Sequence, residues 1–156
     1  QAVAQALVGL PKPVVAAVHG WTVGAGFEWM LNADIVLAAD SARFKLPEAS
    51  LGVFVTGGLA ATLPAYAGVA RAKALMLLGE EFSPTQAQAW GLVWKVVPEP
   101  ELDAASRQAC ARLASLLPEV AASYKRVLND IGLGRFHDAI ALENDAQRAL
   151  GGRQDR

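Results

Sequence analysis

Cysteine, histidine and long apolar runs are scarce in this chain of 156 residues, and each scarcity excludes a class of function. Cys110 is the single cysteine, which excludes an internal disulfide and a multi-cysteine metal site. His19 and His137 are not spaced as metal ligands and no H-E-x-x-H motif occurs, so we expect no metal site. No run of about 18 apolar residues is present, so the sequence predicts no membrane span.

Positive charge is not concentrated anywhere in the sequence. Lysine and arginine number 14 against 15 acidic residues, which gives a net charge of −1. Nucleic acid and anionic membranes are therefore poor candidates for partners. A composition of 53% hydrophobic and 19% charged residues is typical of a folded cytosolic protein, so we expect a cytoplasmic location. The first residues resemble a helix entered midway, so we expect the chain to lack its true beginning.

Short apolar runs separated by glycines predict a βαβ unit near the start of the chain. Residues 13–19 and 34–39 are rich in β-branched or small apolar residues and predict buried strands. The segment 26–32 between them has helix-forming residues after a glycine. Strands in this arrangement are expected to pair in parallel. Residues 42–46 predict a further short strand that ends before Pro47.

The rest of the chain is predicted to be mainly helical and to belong to the same domain. Helices are predicted over 57–66, 69–78, 83–90, 102–116, 118–131 and 136–150, with a strand over 92–97. The pair Ser83-Pro84 is a typical helix start. Cys110 lies in an amphipathic helical pattern, which predicts a small core residue. The residues from Gly151 onward are expected to fray.

One acidic residue, Glu28, interrupts an otherwise uncharged segment from Pro13 to Ala33. It follows a Gly24-Ala25-Gly26 turn at a predicted helix start. Burying a carboxylate without a partner costs several kcal/mol or shifts its pKa. A second carboxylate, Glu48, follows twenty positions later, so the two residues are candidates for an acid–base pair.

Each of these features also has a local structural interpretation. The glycine turn can serve helix packing alone, or it can present the N–H of Ala25 or Gly26 to a developing oxyanion. Glu28 can cap its own helix, and Glu48 can begin a short helix after a proline. The turn is not a dinucleotide-binding fingerprint, because Trp29 occupies the place of the third glycine.

An ordered series of short motifs resembles the crotonase (enoyl-CoA hydratase/isomerase) superfamily over about half of the chain. The matching segments are 11–20 (PKPVVAAVHG), 24–28 (GAGFE), 33–34 (AD), 42–48 (ARFKLPE), 51–52 (LG), 57–58 (GG), 63–64 (LP), 68–72 (GVARA), 78–79 (LG), Ala87, 91–93 (GLV) and 96–98 (VVP). Each motif is weak alone, whereas their order and spacing together are specific.

The resemblance implies an α/β fold, a spiral of ββα units with a C-terminal helical region. Residues 1–98 would be the C-terminal part of the spiral core, and 99–156 the helical region of the same domain. The family's N-terminal third would be missing. The implied ligand is an acyl-CoA, with coenzyme A as part of the substrate and no further cofactor. The implied assembly is a homotrimer or hexamer.

The resemblance also implies roles for individual residues. The backbone N–H of Ala25 would be one half of the oxyanion hole, with Gly24 and Gly26 lining the substrate. Glu28 would orient and deprotonate a water that adds to C3 of a 2-enoyl thioester, and Glu48 would exchange the proton at C2. Retention of both glutamates favours hydration.

Some positions depart from the usual hydratase pattern. Ala25 replaces a common glycine, Val55-Thr56 replaces Pro-Gly, Leu59 replaces a glycine and Trp94 replaces a small polar residue. Two alternatives to a hydratase stay open. One is an isomerase or another enolate-forming enzyme of the family, and the other is a catalytically inactive fragment or assembly subunit.

Overall fold

The computed structural model describes residues 1–152, and within them the strands form two parallel sheets. The strands are β1 (Val15–Val18), β2 (Trp21–Val23), β3 (Ile35–Ala39), β4 (Arg43–Lys45) and β5 (Lys95–Val97). One sheet has the order β1-β3-β5 and the other pairs β2 with β4. The predicted parallel pairing of the first two apolar runs is confirmed, with Val15 opposite Ile35. β2 was not predicted, and β5 is shorter than the predicted strand.

The helices follow the predicted segments closely. They are α1 (Ala2–Gly9), α2 (Ala25–Leu31), α3 (Leu59–Ala67), α4 (Val69–Leu78), α5 (Pro84–Ala89), α6 (Leu102–Ala114), α7 (Pro118–Gly132) and α8 (Phe136–Gly151). Short 3₁₀ helices span Glu48–Leu51 and Glu99–Glu101. Ser83 and Gln86 form a reciprocal capping box at the start of α5, so the helix start predicted there is confirmed. The end that was predicted to fray begins at Gly151, which is the last residue of α8 in the structure. Residues 153–156 lie outside the described residues.

Successive chain segments form ββα turns that stack on one another. β1, β2 and α2 make one turn, and β3, β4 and α3 make the next. Each strand of the second turn pairs in parallel with its counterpart in the first. This stacking places the start of α2 beside the segment that follows β4. Residues far apart in sequence therefore meet at one end of the two sheets.

Aromatic side chains fill the core between α2 and β4. The rings of Phe27, Phe44 and Phe82 lie 5.5 to 5.8 Å apart between centroids, and all three side chains are buried. The backbone of Phe44 also bridges that of Phe82. Burial of such large apolar side chains is worth roughly 1.5–3 kcal/mol each. The position of Glu28, directly after Phe27, is fixed by this packing.

The interpretation of Cys110 as a core residue is wrong, because this side chain is exposed. The face of α6 that packs on the sheet carries Leu102, Ala105 and Ala109. Each further residue turns about 100° around a helix, so the residue after Ala109 points away from that face.

A buried lysine attaches α7 to the sheet region. Lys125 Nζ donates to the carbonyls of Leu7 at 2.8 Å and Lys12 at 3.1 Å, and pairs with Asp34 at 2.8 Å. Asp34 in turn accepts the N–H of Val14 at 2.7 Å. The ammonium group is thus fully provided with acceptors. None of the helices within residues 1–152 has both the length and the apolar character needed to cross a membrane.

Candidate active site

The turn from β2 into α2 has a backbone that requires glycine. Gly24 precedes the helix with φ 54° and ψ −122°, a conformation that residues with a side chain rarely adopt. Ala25 and Gly26 are the first two helical residues and both are exposed. The N–H groups of the first helical turn have no acceptor within the helix. The turn therefore presents backbone donors at an accessible surface.

Glu28 is 3% exposed, and both of its carboxylate oxygens accept hydrogen bonds from one residue. The N–H of Thr56 donates to Oε1 at 2.7 Å, and the Thr56 hydroxyl donates to Oε2 at 2.8 Å. Hydrogen bonds to an ionised group are stronger than neutral ones. The local interpretation, in which Glu28 caps its own helix, is wrong: within residues 1–152 the hydrogen bonds of its carboxylate come from Thr56 and not from the start of α2.

Glu48 begins the 3₁₀ helix after Pro47 and is only partly buried. Its Oε2 atom is buried and has no hydrogen-bond partner among residues 1–152. Burial raises the pKa of Glu48, and the nearby charge of Glu28 raises it further, while the N–H of Glu48 itself opposes the shift. The structure therefore places the two predicted carboxylates close enough for the charge of Glu28 to act on Glu48.

The Gly57-Gly58 pair lies between Glu28 and α8, and neither residue has room for a side chain. Both have positive φ, 66° and 78°. A Cβ on Gly57 would lie 3.0 Å from Glu28 Oε2, and one on Gly58 would overlap the ring of Phe136. Asn32 Nδ2 donates to the Gly57 carbonyl at 2.8 Å. The two glycines thus allow α2 and α8 to approach one stretch of backbone from opposite sides.

A third buried carboxylate, Glu143 of α8, escaped the sequence analysis. It is 0% exposed and accepts the N–H of Gly58 at 2.9 Å and of Ala60 at 2.8 Å. Burial raises the pKa of Glu143, as does the charge of Glu28, and the two N–H donors oppose the shift. A signal for it existed: Glu143 continues the i, i+4, i+7 spacing of Phe136 and Ile140 on the buried face of the helix.

The chemistry available here is proton transfer between carboxylates beside free backbone donors. Two hydrogen bonds hold the Glu28 carboxylate, whereas one oxygen of Glu48 has no hydrogen-bond partner among residues 1–152. Within residues 1–152 no group of three or more His, Cys, Asp or Glu side chains is placed to hold a metal ion.

Comparisons with known proteins agree on one family. A family model described as "Enoyl-CoA hydratase/isomerase" matches residues 1–154. The chain is 38% identical over 145 residues to the 1,2-epoxyphenylacetyl-CoA isomerase of Escherichia coli K12. The aligned region covers 93% of this chain and 55% of that protein. It is also 36% identical over 118 residues to the carnitinyl-CoA dehydratase of Salmonella typhi, and this region covers 76% of this chain and 45% of that protein.

Solved structures show the same similarity in three dimensions. An enoyl-CoA hydratase from Mycobacterium avium subsp. paratuberculosis K-10 matches with a TM-score of 0.91 and 36% identity. The match covers 94% of this chain and 60% of that one. The chain spans about half the length of the curated relatives it matches.

Proposed function

This chain belongs to the enoyl-CoA hydratase/isomerase family, and we propose that it carries the two glutamates that hydrate a 2-enoyl-CoA thioester. The crotonase-type α/β fold predicted from the sequence is confirmed by the match to a solved hydratase structure. The observation that carries the proposed reaction is the unequal pair: Glu28 with both oxygens bound, and Glu48 with a buried oxygen unbound.

In the proposed reaction Glu28 is the base that orients and deprotonates the attacking water. A carboxylate oxygen accepts about two hydrogen bonds, so each oxygen bound to Thr56 keeps one position for the water. The water oxygen forms a bond to C3 as its proton passes to Glu28. The electron pair of the C2–C3 double bond moves to the thioester as an enolate. A positioned base of this kind typically contributes about 10²–10⁴-fold.

Glu48 then delivers a proton to C2 of the enolate. The raised pKa of Glu48 favours its protonated form, which is the form a proton donor needs. The oxygen with no partner is the natural position for that proton. Proton exchange between the two carboxyl groups, or with solvent, restores the starting state.

The turn before α2 is proposed to stabilise the enolate. The exposed N–H of Ala25 would donate to the thioester oxygen, and Gly24 and Gly26 would allow the substrate to approach the backbone. One such donor in a dry site is worth about 3–4 kcal/mol in the transition state.

A second candidate function is isomerisation of an enoyl-CoA or a related enolate-forming reaction. The observation that favours it is the Thr56 hydroxyl, which occupies one lone pair of Glu28 Oε2 and leaves fewer positions at which a water could bind. Glu48 alone would then move a proton between carbons. The relative named as an isomerase is in keeping with this chemistry.

We further propose that the protein assembles as a homotrimer or hexamer and acts in the cytoplasm on a free acyl-CoA. Three exposed tryptophans support the assembly: Trp21 at 58%, Trp29 at 51% and Trp94 at 76% exposure. Large exposed apolar groups often mark protein interfaces. Light scattering of the purified protein tests the assembly, and a monomer at micromolar concentration would contradict it.

The reaction is tested with the full-length product of the gene that encodes this chain. Crotonyl-CoA is added, loss of the conjugated enoyl thioester is followed by absorbance, and products are identified by mass spectrometry. Hydration gives a product heavier by one water. Isomerisation of a longer enoyl-CoA at constant mass supports the second candidate. The absence of both reactions would support the inactive-subunit alternative.

A further inference from the structure

The segment 56–60 is bound on both sides by carboxylates from distant parts of the chain. On one side Thr56 donates two hydrogen bonds to Glu28. On the other side Gly58 and Ala60 donate to Glu143 of α8. The segment is thus a short piece of backbone that connects a buried side chain of the C-terminal helix to the proposed catalytic base.

The glycines in this segment make such support necessary. Gly57 and Gly58 have positive φ and no side chains that pack, so their backbone has more conformational freedom than that of other residues. Bonds from outside therefore add to the one within the segment, from the Leu59 N–H to the Thr56 carbonyl at 3.1 Å, in holding it in one conformation. Asn32 provides one of them at the Gly57 carbonyl, and Glu143 provides two at the following N–H groups.

α8 is itself well anchored and also binds the chain just before the segment. Phe136 and Ile140 pack with Ala4 and Leu133 in a separate apolar cluster. Gln147, one turn after Glu143, accepts the N–H of Phe54 at 2.6 Å. A fully buried carboxylate on a fixed helix has little freedom to move, so it can set the position of the backbone bound to it.

We propose that Glu143 is a positioning residue for Glu28, and that it acts through segment 56–60. Glu143 fixes the positions of the Gly58 and Ala60 N–H groups, and this fixes the position of Thr56. Thr56 in turn orients the two carboxylate oxygens of Glu28. This inference rests on the proposed function for the catalytic role of Glu28. The alternative is that Glu143 only caps the start of α3 and leaves Thr56 unaffected.

The first test measures amide hydrogen exchange and does not depend on activity. In the full-length protein, Glu143→Gln replaces one of the two carboxylate oxygens with an amide NH₂ group. One of the two backbone N–H groups of the segment then loses its acceptor. The deciding signal is the Thr56 amide, which donates to Glu28 and not to Glu143. We expect its exchange to be faster by about tenfold. The matched control is Asp145→Asn, which removes an exposed carboxylate from the same helix and should leave Thr56 unchanged.

The second test is a double-mutant cycle on kcat with crotonyl-CoA. Glu143→Gln should lower kcat by about tenfold or more while KM changes little, because misplaced catalytic groups slow the chemical step. Thr56→Val removes the hydroxyl that binds Glu28. If Glu143 acts through Thr56, the double variant loses less than the product of the two single losses.

The outcomes separate this inference from the proposed function. Unchanged Thr56 exchange, or independent losses in the cycle, would overturn the positioning role even in an active enzyme. A wild-type protein without acyl-CoA activity would refute the proposed function, while the exchange test still decides whether Glu143 orders Thr56. If Glu143→Gln does not fold, Glu143→Asp keeps the charge with a shorter side chain. Faster Thr56 exchange in that variant supports the proposal, and unchanged exchange contradicts it.

Discussion

Glu28 and Glu48 each lie against a glycine of positive φ, yet their oxygens are satisfied to different degrees. A Cβ on Gly57 would lie 3.0 Å from Glu28 Oε2, and one on Gly24 would lie 2.9 Å from Glu48 Oε1. Glu28 accepts two hydrogen bonds from Thr56. Glu48 has a buried oxygen without any partner among residues 1–152.

Different surroundings can prepare two identical side chains for different tasks. Hydrogen bonds to a carboxylate favour its charged form and fix its direction. Burial without such bonds disfavours the charge, and the pKa of Glu48 is raised for this reason and by the charge of Glu28. In the proposed reaction, these two surroundings separate an oriented acceptor, Glu28, from a proton carrier, Glu48.

Removing either carboxylate is expected to cause the greatest loss of activity. Glu28→Gln and Glu48→Gln should each lower kcat at least a hundredfold, about 2.7 kcal/mol, because each removes a proton acceptor or donor. The double variant should lose little more than the worse single one, since the pair acts as a unit. Steady-state kinetics with crotonyl-CoA measures this, and Glu80→Gln, at an exposed position, is the control. Wild-type rates in both single variants would contradict the proposed roles.

Adding a methyl group at Gly57 is expected to have the next largest effect. Gly57→Ala combines a positive φ with a contact to the Glu28 carboxylate and should cost about 2–3 kcal/mol of unfolding free energy. The matched control is Gly20→Ala, at φ 62° against 66°, where nothing lies within 4 Å of the added Cβ. Denaturant unfolding of both variants isolates the contact with Glu28. Equal losses would show that the carboxylate is not pressed against this backbone.

Thr56→Val makes the surroundings of Glu28 more similar to those of Glu48. It keeps the shape of the side chain but leaves Oε2 of Glu28 without the hydroxyl donor. The expected loss of unfolding free energy is about 1.5 kcal/mol, typical of a hydrogen bond to a charged group. Thr85→Val, at an exposed position, provides the control in the same unfolding experiment. A neutral Thr56→Val would mean that the hydroxyl does not distinguish the two carboxylates.

The smallest expected effect is a pH-dependent gain of stability in Glu48→Gln. Because the folded state raises the pKa of Glu48, it binds this proton more tightly than the unfolded chain does. The corresponding stability is present below the unfolded pKa, about 4.3, and is lost as pH rises through the folded pKa. The variant should therefore be more stable than wild type at pH 7, by a margin that shrinks toward pH 4. Thermal unfolding at both pH values checks this, and a margin independent of pH would refute the buried-charge explanation.

Elements with a strong local pattern were predictable from the sequence. The parallel pairing of β1 and β3 follows from two apolar runs with a helix between them. The start of α5 follows from Ser83 and Pro84. In contrast, β2 has three residues, too few for a periodic pattern, and its pairing with β4 is visible only once the turns of the chain stack.

The side-chain partners of the site were missed in the sequence analysis. Glu28 stood out because a charge in an apolar segment requires a reason, and Glu48 stood out as a second carboxylate that could pair with it. Their partners did not stand out: Thr56 is a common residue type, and Glu143 lies among other polar residues on α8. Cys110 shows the opposite error, since an apolar spacing predicted burial for a residue that lies just beyond the packed face.

Residue types at short or regular spacing were enough to identify the family, the order of the main elements and the two glutamates of the proposed reaction. The three-dimensional arrangement was needed to show that Glu28 is bound through both oxygens, whereas Glu48 has an oxygen without a partner among residues 1–152. That outcome depends on contacts across 28 residues between Glu28 and Thr56, and across 85 between Gly58 and Glu143. Stacking of the chain turns and docking of α8 create these contacts, and the burial that results raises the pKa of Glu48 and of Glu143.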